Sequence, residues 1–268
     1  MEPWLILLPA FVMSALMILS HTYLGLHVLA RGIIFVDLAL AQVAALGVSF
    51  AFLLGEEPHG VNAQLYAFGA TLTVAFAFAG LRRIPGKITR EVIIGCVYVV
   101  STALSIVILS RSTQGMEELK SLFNGNILWV NWQEIMLLAS IYLVLAIFHL
   151  IYRKRFYALS FATEEERPQG FLWEFLFFAS FAVVITLAVN VAGVLLVFAF
   201  LIIPAFSASL VVHSLMGRLF LGWCLGLSGA VAGMWLSFSA DLPVGATVVS
   251  VLGLLPLLAL GLRMMRKV

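Results

Sequence analysis

The sequence predicts an all-α fold, a polytopic bundle of transmembrane helices, because of its length and composition. Of its 268 residues, 63% are hydrophobic and only 10% are charged, and the mean hydropathy is +1.12. A soluble domain has roughly 45–50% apolar and about 25% charged residues. A water-soluble fold of this length has too little interior to bury so much apolar surface. The chain therefore uses lipid as a solvent and crosses it as helices.

The individual helices are predicted from runs of about 20 mostly apolar residues, the length that crosses a bilayer. Turn-forming residues separate the runs, as at Gly55-Glu56-Glu57-Pro58 and at Asp241-Leu242-Pro243. Nine such runs occur, at residues 4–24, 33–54, 61–81, 92–110, 133–152, 171–190, 193–213, 218–238 and 244–262.

The seventh run leaves the number of spans open between eight and nine. It follows the sixth after only Asn190-Val191-Ala192-Gly193, and it contains Pro204. One of the runs is therefore broken or re-entrant if the count is eight. The two longest loops are residues 111–132 and 153–170, and neither is large enough for a separate fold. Residues 1–268 are therefore predicted to form a single transmembrane domain.

The distribution of basic residues predicts the orientation, because Lys and Arg concentrate on the inner side of a membrane. With the N-terminus outside and nine spans, every one of the 15 basic residues except Arg111 and Lys120 falls on the inner side. We therefore expect the N-terminus outside and the C-terminus inside.

The sequence also excludes several function classes. The net charge of +2 gives no basic field for nucleic acid. No Walker A motif occurs, because five residues instead of four separate Gly80 from Gly86 and Ile88 follows Lys87. Any ATP that drives this protein is therefore used by a partner chain. Neither HExxH nor CxxC nor a Ser-His-Asp arrangement points to an enzyme.

Polar residues inside a span are costly and are therefore functional candidates. Measured from Ile33, Asp37 lies ~6 Å deep and Gln42 ~13 Å deep, and five residues turn the two side chains ~140° apart on an α-helix. We expect both to line a substrate pathway. The alternative is that Gln42 bonds a neighbouring helix and Asp37 pairs with Arg31 or a helix end. His27 is a further pathway candidate, against the alternative of an interfacial histidine.

Two later segments carry a local signal. Asp241 opens the last run, either as the N-cap of its helix or as part of the outer mouth of a pathway. The eighth run holds two GxxxG pairs, which predict close helix packing within the chain or at a subunit interface. These four residues are Gly222, Gly226, Gly229 and Gly233.

Five segments, spread in order over residues 20–260, resemble one known family. They are His27-Val28-Leu29-Ala30-Arg31-Gly32 through Gly47, Ile94-Gly95, Asn124-Gly125-Asn126-Ile127-Leu128, Val191 through Ala205, and Asp241-Leu242-Pro243-Val244-Gly245. The fourth is similar to the family stretch VGxLLVxALLIIPAA and is the most specific. Together they resemble the membrane permease of ABC importers for zinc, manganese and iron.

The resemblance implies a transport subunit that works by alternating access and moves a divalent transition metal, zinc or manganese. It implies no cofactor bound by this chain and ATP used by a partner. The implied partners are a cytosolic ATP-binding subunit, an extracytoplasmic substrate-binding protein and a second copy of the chain, in a bacterial cytoplasmic (inner) membrane. The ATPase-coupling loop falls at Phe161, Glu164, Glu165, Glu166 and Gly170.

The second span departs from the family pattern, in which Gly-Asp is followed four residues after the Asp by His. Alignment on Gly47 puts Leu38 at the Asp position and Gln42 at the His position, with Asp37 one residue early. A π-bulge would bring Asp37 into register; otherwise the substrate is not the usual one, and the metal ligands stay unassigned. The alternatives are a proton-coupled secondary transporter and an importer permease for a chelated or small organic substrate.

Overall fold

The computed structural model describes residues 3–57, 60–84, 86–110, 117, 125, 127–162 and 170–265, and in these ranges the chain is helical without a β-strand. Two short 3₁₀ turns, Leu81–Arg83 and Ile127–Trp129, accompany the α-helices. The α-helices are α1 (Pro3–Arg31), α2 (Val36–Leu53), α3 (Val61–Gly80), α4 (Lys87–Leu109), α5 (Trp132–Ile151), α6 (Arg153–Phe161), α7 (Phe171–Val211), α8 (Leu215–Ala240) and α9 (Val244–Met265).

Eight helices in the described ranges are long and apolar enough to cross a membrane, all except the nine-residue α6. This confirms the predicted helical transmembrane fold. The first span is longer than its apolar run suggests, because the helix continues through Leu24 to Arg31. The second begins later than predicted, at Val36.

The longest helix, α7, contains both the sixth and the seventh predicted runs. Its 41 residues measure roughly 62 Å at 1.5 Å per residue, about twice the thickness of the hydrocarbon core. Gly193 interrupts the helical backbone with φ 75° and ψ 162°, a conformation open to glycine because it lacks a Cβ. The helix therefore consists of two stretches, each near the length of one crossing, which explains why the apolar runs left the number of spans open between eight and nine.

The chain divides into two compact units. The terminal unit comprises residues 1–29, 124–146 and 191–268, and the central unit comprises residues 30–123 and 147–190. The single domain expected over residues 1–268 stays a prediction.

Within the central unit, α2 packs closely against α3 and α4. Its contact with α3 is a seam of small residues, which we call the alanine seam: Ala44, Gly47, Val48, Ala51, Ala63 and Ala67. A Cβ added at Gly47 would lie 2.6 Å from the Ala67 Cα, so the two backbones are nearly in contact. Small residues at a helix interface allow this approach, and without a hydrophobic force between helices in lipid, such packing is what holds them together.

Candidate functional site

The α2 helix carries two of the predicted pathway residues and begins in an unusual way. Its N-cap, Phe35, provides no capping side chain. Instead, the backbone N–H of Phe35 donates a hydrogen bond of 2.9 Å to Oε1 of Glu91 on α4. A neighbouring helix therefore satisfies one of the amides that a helix N-terminus leaves free, and this fixes the position of the residues that follow.

Asp37 is the second residue of α2 and is buried, with 1% of its surface exposed. Neither of its carboxylate oxygens has a hydrogen-bond partner among the described residues. The predicted alternative, a pair with Arg31, is not what the structure contains, because the Arg31 guanidinium bonds Glu174 instead. A buried carboxylate without a partner is costly, so its position calls for a functional explanation.

Gln42 lies five residues further along α2 and is equally buried, with 1% exposed. Its amide oxygen and nitrogen have no partner within the described ranges, so the predicted bond to a neighbouring helix is absent there. The backbone is α-helical over the whole of α2, so no π-bulge brings Asp37 onto the face of Gln42. The two side chains are therefore separate polar points on one helix rather than a single ligand pair.

An ionic cluster that sequence reasoning missed lies near the start of α2. The Glu174 carboxylate, only 3% exposed, pairs with Arg31 and lies 3.7 Å from the Arg82 guanidinium. The Arg31 guanidinium also rests 4.4 Å from the ring centroid of Phe177, at the distance of a cation–π contact. The cluster joins the end of α1, the turn after α3 and the start of α7. The signal in the sequence that could have revealed this cluster was Glu174 itself, an acidic residue near the start of the apolar run at residues 171–190.

The predicted coupling loop is only partly described. Phe161 is the last residue of α6, and Gly170 directly precedes α7. Glu164, Glu165 and Glu166 lie outside the described residues. The short helix α6 is anchored through Phe156, which is fully buried and whose ring stacks on His149 with centroids 4.0 Å apart. The loop therefore begins from a helix that packs firmly on the central unit.

The other two predicted pathway residues belong to the terminal unit. His27 is buried, with its ring centroid 4.7 Å from that of Tyr23 on the same helix. Asp241 is exposed and has a left-handed backbone, φ 51° and ψ 48°, as the C-cap of α8. The N-cap alternative for Asp241 is therefore wrong, because α9 begins three residues later, directly after Pro243.

The four glycines of α8 are all buried in close contacts inside the terminal unit. A Cβ at Gly222 would lie 2.6 Å from Thr22 of α1, and one at Gly226 would lie 3.2 Å from Pro204 of α7. A Cβ at Gly233 would lie 2.6 Å from the Val248 Cα of α9. The glycine face of α8 thus contacts three helical segments of its own chain.

No group of three or more His, Cys, Asp or Glu side chains comes together in the described part of the chain. The candidate residues therefore do not assemble such a ligand group in those ranges.

Comparison with known proteins places this arrangement in a family. The profile described as the ABC 3 transport family matches residues 4–263. An uncharacterized membrane protein of Synechocystis is 26% identical over 258 residues, covering 95% of this chain and 89% of that protein. A protein of Listeria innocua, named manganese transport system membrane protein MntC, is 26% identical over 85% of this chain and 80% of its own length.

The fold agrees with that assignment. The solved structure of PsaBC from Streptococcus pneumoniae in complex with Fab superimposes with a TM-score of 0.74 at 21% identity, covering 95% of this chain and 90% of that chain. Since the family profile spans nearly the whole sequence, the chain belongs to the ABC 3 transport family and is a transport subunit, not an enzyme.

Proposed function

We propose that this chain is the permease subunit of an ABC importer for a divalent transition metal and that it works by alternating access. The observation that carries the proposal is the buried Asp37 carboxylate, which has no partner among the described residues. In a membrane span, such a group faces a pathway by default. The manganese transport names of relatives at 22–26% identity support the substrate class.

On α2, the donor chemistry favours manganese over zinc. Asp37 and Gln42 offer carboxylate and amide oxygens, and no cysteine thiolate belongs to the candidate set. Oxygen ligands suit Mn²⁺, whereas Zn²⁺ prefers nitrogen and sulfur. We therefore propose Mn²⁺ as the first ion to test on α2.

The proposal includes partners that supply what this chain lacks. A cytosolic ATP-binding subunit docks on the segment from Phe161 to Gly170 and hydrolyses ATP, and an extracytoplasmic binding protein delivers the ion. A second copy of the chain completes the translocation unit in the bacterial cytoplasmic membrane. The firm anchoring of α6 through Phe156 supports this docking site, because a push on the loop is transmitted only through a packed segment.

The test is Mn²⁺ uptake by proteoliposomes that contain the chain with or without its ATP-hydrolysing partner. We expect uptake only with the partner and with ATP, and none with the inactive ATP analogue or with a pH gradient alone. Uptake by the chain alone under a pH gradient would overturn the proposal in favour of a secondary transporter. ATP-driven uptake of a chelated or organic substrate but of neither Mn²⁺ nor Zn²⁺ would overturn the substrate class.

A further inference from the structure

One buried histidine, His21, lies deep within the first span. His21 belongs to α1, about 15 Å from Arg31 at 1.5 Å per residue, which is near the middle of a ~30 Å hydrocarbon core. Its side chain is completely buried within the terminal unit. An imidazole at this depth is costly unless both ring nitrogens are satisfied or one of them has a task.

The hydrogen bonds of the ring fix its tautomer. His21 Nδ1 lies 2.8 Å from the backbone oxygen of Met17, and a carbonyl oxygen only accepts. Nδ1 therefore carries the proton and donates, while Ser20 Oγ lies 3.0 Å from the same nitrogen. In the neutral ring, the remaining nitrogen, Nε2, then holds a lone pair.

That lone pair accepts no hydrogen bond from the residues that the structure describes. Nε2 of His21 is buried and has no hydrogen-bond partner among the residues that the structure describes. The hydroxyls of Ser14 and Thr22 on the same helix are buried without a partner as well. Ser14 and His21 are seven residues apart and so share a face of α1. This helix therefore presents several unused polar atoms inside the terminal unit.

A second buried histidine provides the contrast. His149, only 6% exposed, has its Nε2 2.9 Å from Ser180 Oγ. Its ring also stacks on Phe156, with centroids 4.0 Å apart and planes 8° from parallel. His149 is thus explained by packing and hydrogen bonding within the central unit, and the same explanation fails for Nε2 of His21.

We infer that His21 Nε2, in the terminal unit, is a ligand for the transported divalent cation. Neutral imidazole nitrogen is a common ligand of divalent transition metals, and it binds Mn²⁺ as well, although more weakly than Zn²⁺. A metal-bound histidine usually donates its other ring N–H to a carbonyl or carboxylate, which is the bond that His21 makes to Met17. The buried hydroxyls of Ser14 and Thr22 are weak oxygen donors on the same helix. This inference rests on the proposed function.

The experiment uses Mn²⁺ as the probe on the purified permease with its ATPase partner. Pulsed EPR detects the coupling of a ¹⁴N nucleus bound directly to Mn²⁺. We expect this coupling in the wild-type protein, its loss in His21→Ala and its retention in the matched control His149→Ala. Affinity for Mn²⁺ is expected to fall at least about tenfold in His21→Ala, the lower end of the range seen when support of a bound metal is removed.

The outcomes separate this inference from the proposed function. Directly bound nitrogen that persists in His21→Ala, or that is absent from a wild-type complex that transports Mn²⁺, would overturn the inference and leave the importer intact. A wild-type complex that transports no divalent metal would overturn the proposed function itself. If His21→Ala does not fold, His21→Gln preserves a polar side chain and supplies only amide donors, so the same loss of imidazole coupling is expected.

Discussion

Asp37 and Gln42 are each expected to lower the stability of the folded chain, because both are buried without hydrogen-bond partners among the described residues. Each buried polar group without a hydrogen bond costs roughly 1–3 kcal/mol, and a charged one costs more. The Asp37 carboxylate and the Gln42 amide are both in this condition among the described residues. Buried residues that lower stability are typical of a site where function and stability compete.

At Asp37, the substitution Asp37→Asn separates these two effects. Removing the charge is expected to lower metal uptake at least about tenfold, as loss of a metal contact does. The free energy of unfolding in detergent is expected to stay the same or to rise, because the unpaired charge disappears. Uptake in proteoliposomes and thermal unfolding of the same preparation measure both quantities.

The matched control is Glu134→Gln, a carboxylate-to-amide change on α5. Glu134 is exposed, and its Oε2 accepts the backbone N–H of Asn131 at 3.0 Å, a local cap that glutamine also makes. Normal uptake by Asp37→Asn would remove that residue from the pathway.

A candidate residue was predictable from the sequence where a polar residue type stands in an apolar run, and less so elsewhere. Asp37 and Gln42 are conspicuous in an apolar run, and both proved buried. His21 lies near the end of the apolar run at residues 4–24, but α1 continues to Arg31 and so places this residue in the middle of the span. Glu174 depends on partners from distant segments, Arg31 and Arg82, which no local pattern reveals.

Among the elements, α8 and α9 show how closely glycine allows helices to pack. Gly233→Ala would bring a Cβ to 2.6 Å from the Val248 Cα. Because backbone has to move, we expect a loss of about 1–3 kcal/mol in the free energy of unfolding. The measurement is thermal or denaturant unfolding in detergent.

The control for Gly233→Ala lies on the partner helix. A Cβ at Gly253 of α9 meets nothing within 4 Å, so Gly253→Ala is expected to leave stability unchanged or to raise it by up to about 1 kcal/mol through helix propensity. Equal effects of the two substitutions would show that close packing at Gly233 is unimportant.

The helices themselves were largely predictable, because runs of apolar residues and turn-forming residues mark them directly. The exception is α7, where the run of helix does not end at a loop but at one glycine with a non-helical backbone. Hydropathy indicates which residues avoid water, but it does not reveal a change in backbone direction at a single residue. The start of α2 is a second exception, since its capping carboxylate comes from Glu91 on another helix.

For the whole molecule, the side of the membrane on which each loop lies depends on α7. If α7 crosses twice, Lys154 and Leu242 lie on opposite sides of the membrane; if it crosses once, they lie on the same side. The excess of basic residues predicts Lys154 inside and Leu242 outside. In a background without Cys96 and Cys224, we expect an impermeant maleimide to label Leu242→Cys in intact cells and Lys154→Cys only in inverted vesicles.

Labelling of both cysteines from one side would show that α7 crosses once and would reduce the count to eight. Labelling of Lys154→Cys from outside would reverse the predicted orientation. Controls with the cysteine-free protein exclude reaction at other residues.

Composition was enough to predict the class of fold, because no soluble architecture accommodates 63% hydrophobic residues in 268. The division into two compact units was not predicted. Each unit gathers segments that are remote in sequence, with α1 beside α8 in the terminal unit and α4 beside α2 in the central unit. Such pairings follow from side-chain fit between helices, which hydropathy does not record.

The alanine seam occupies only the later part of α2. From Ala44 onward the helix is secured against α3, while Asp37 and Gln42 precede that region. Anchorage against α3 and the proposed recognition of the substrate therefore use different turns of α2. Under the proposed function, a change of cargo would therefore need only a few exchanged side chains in the first turns of one helix and would leave the packing against α3 intact.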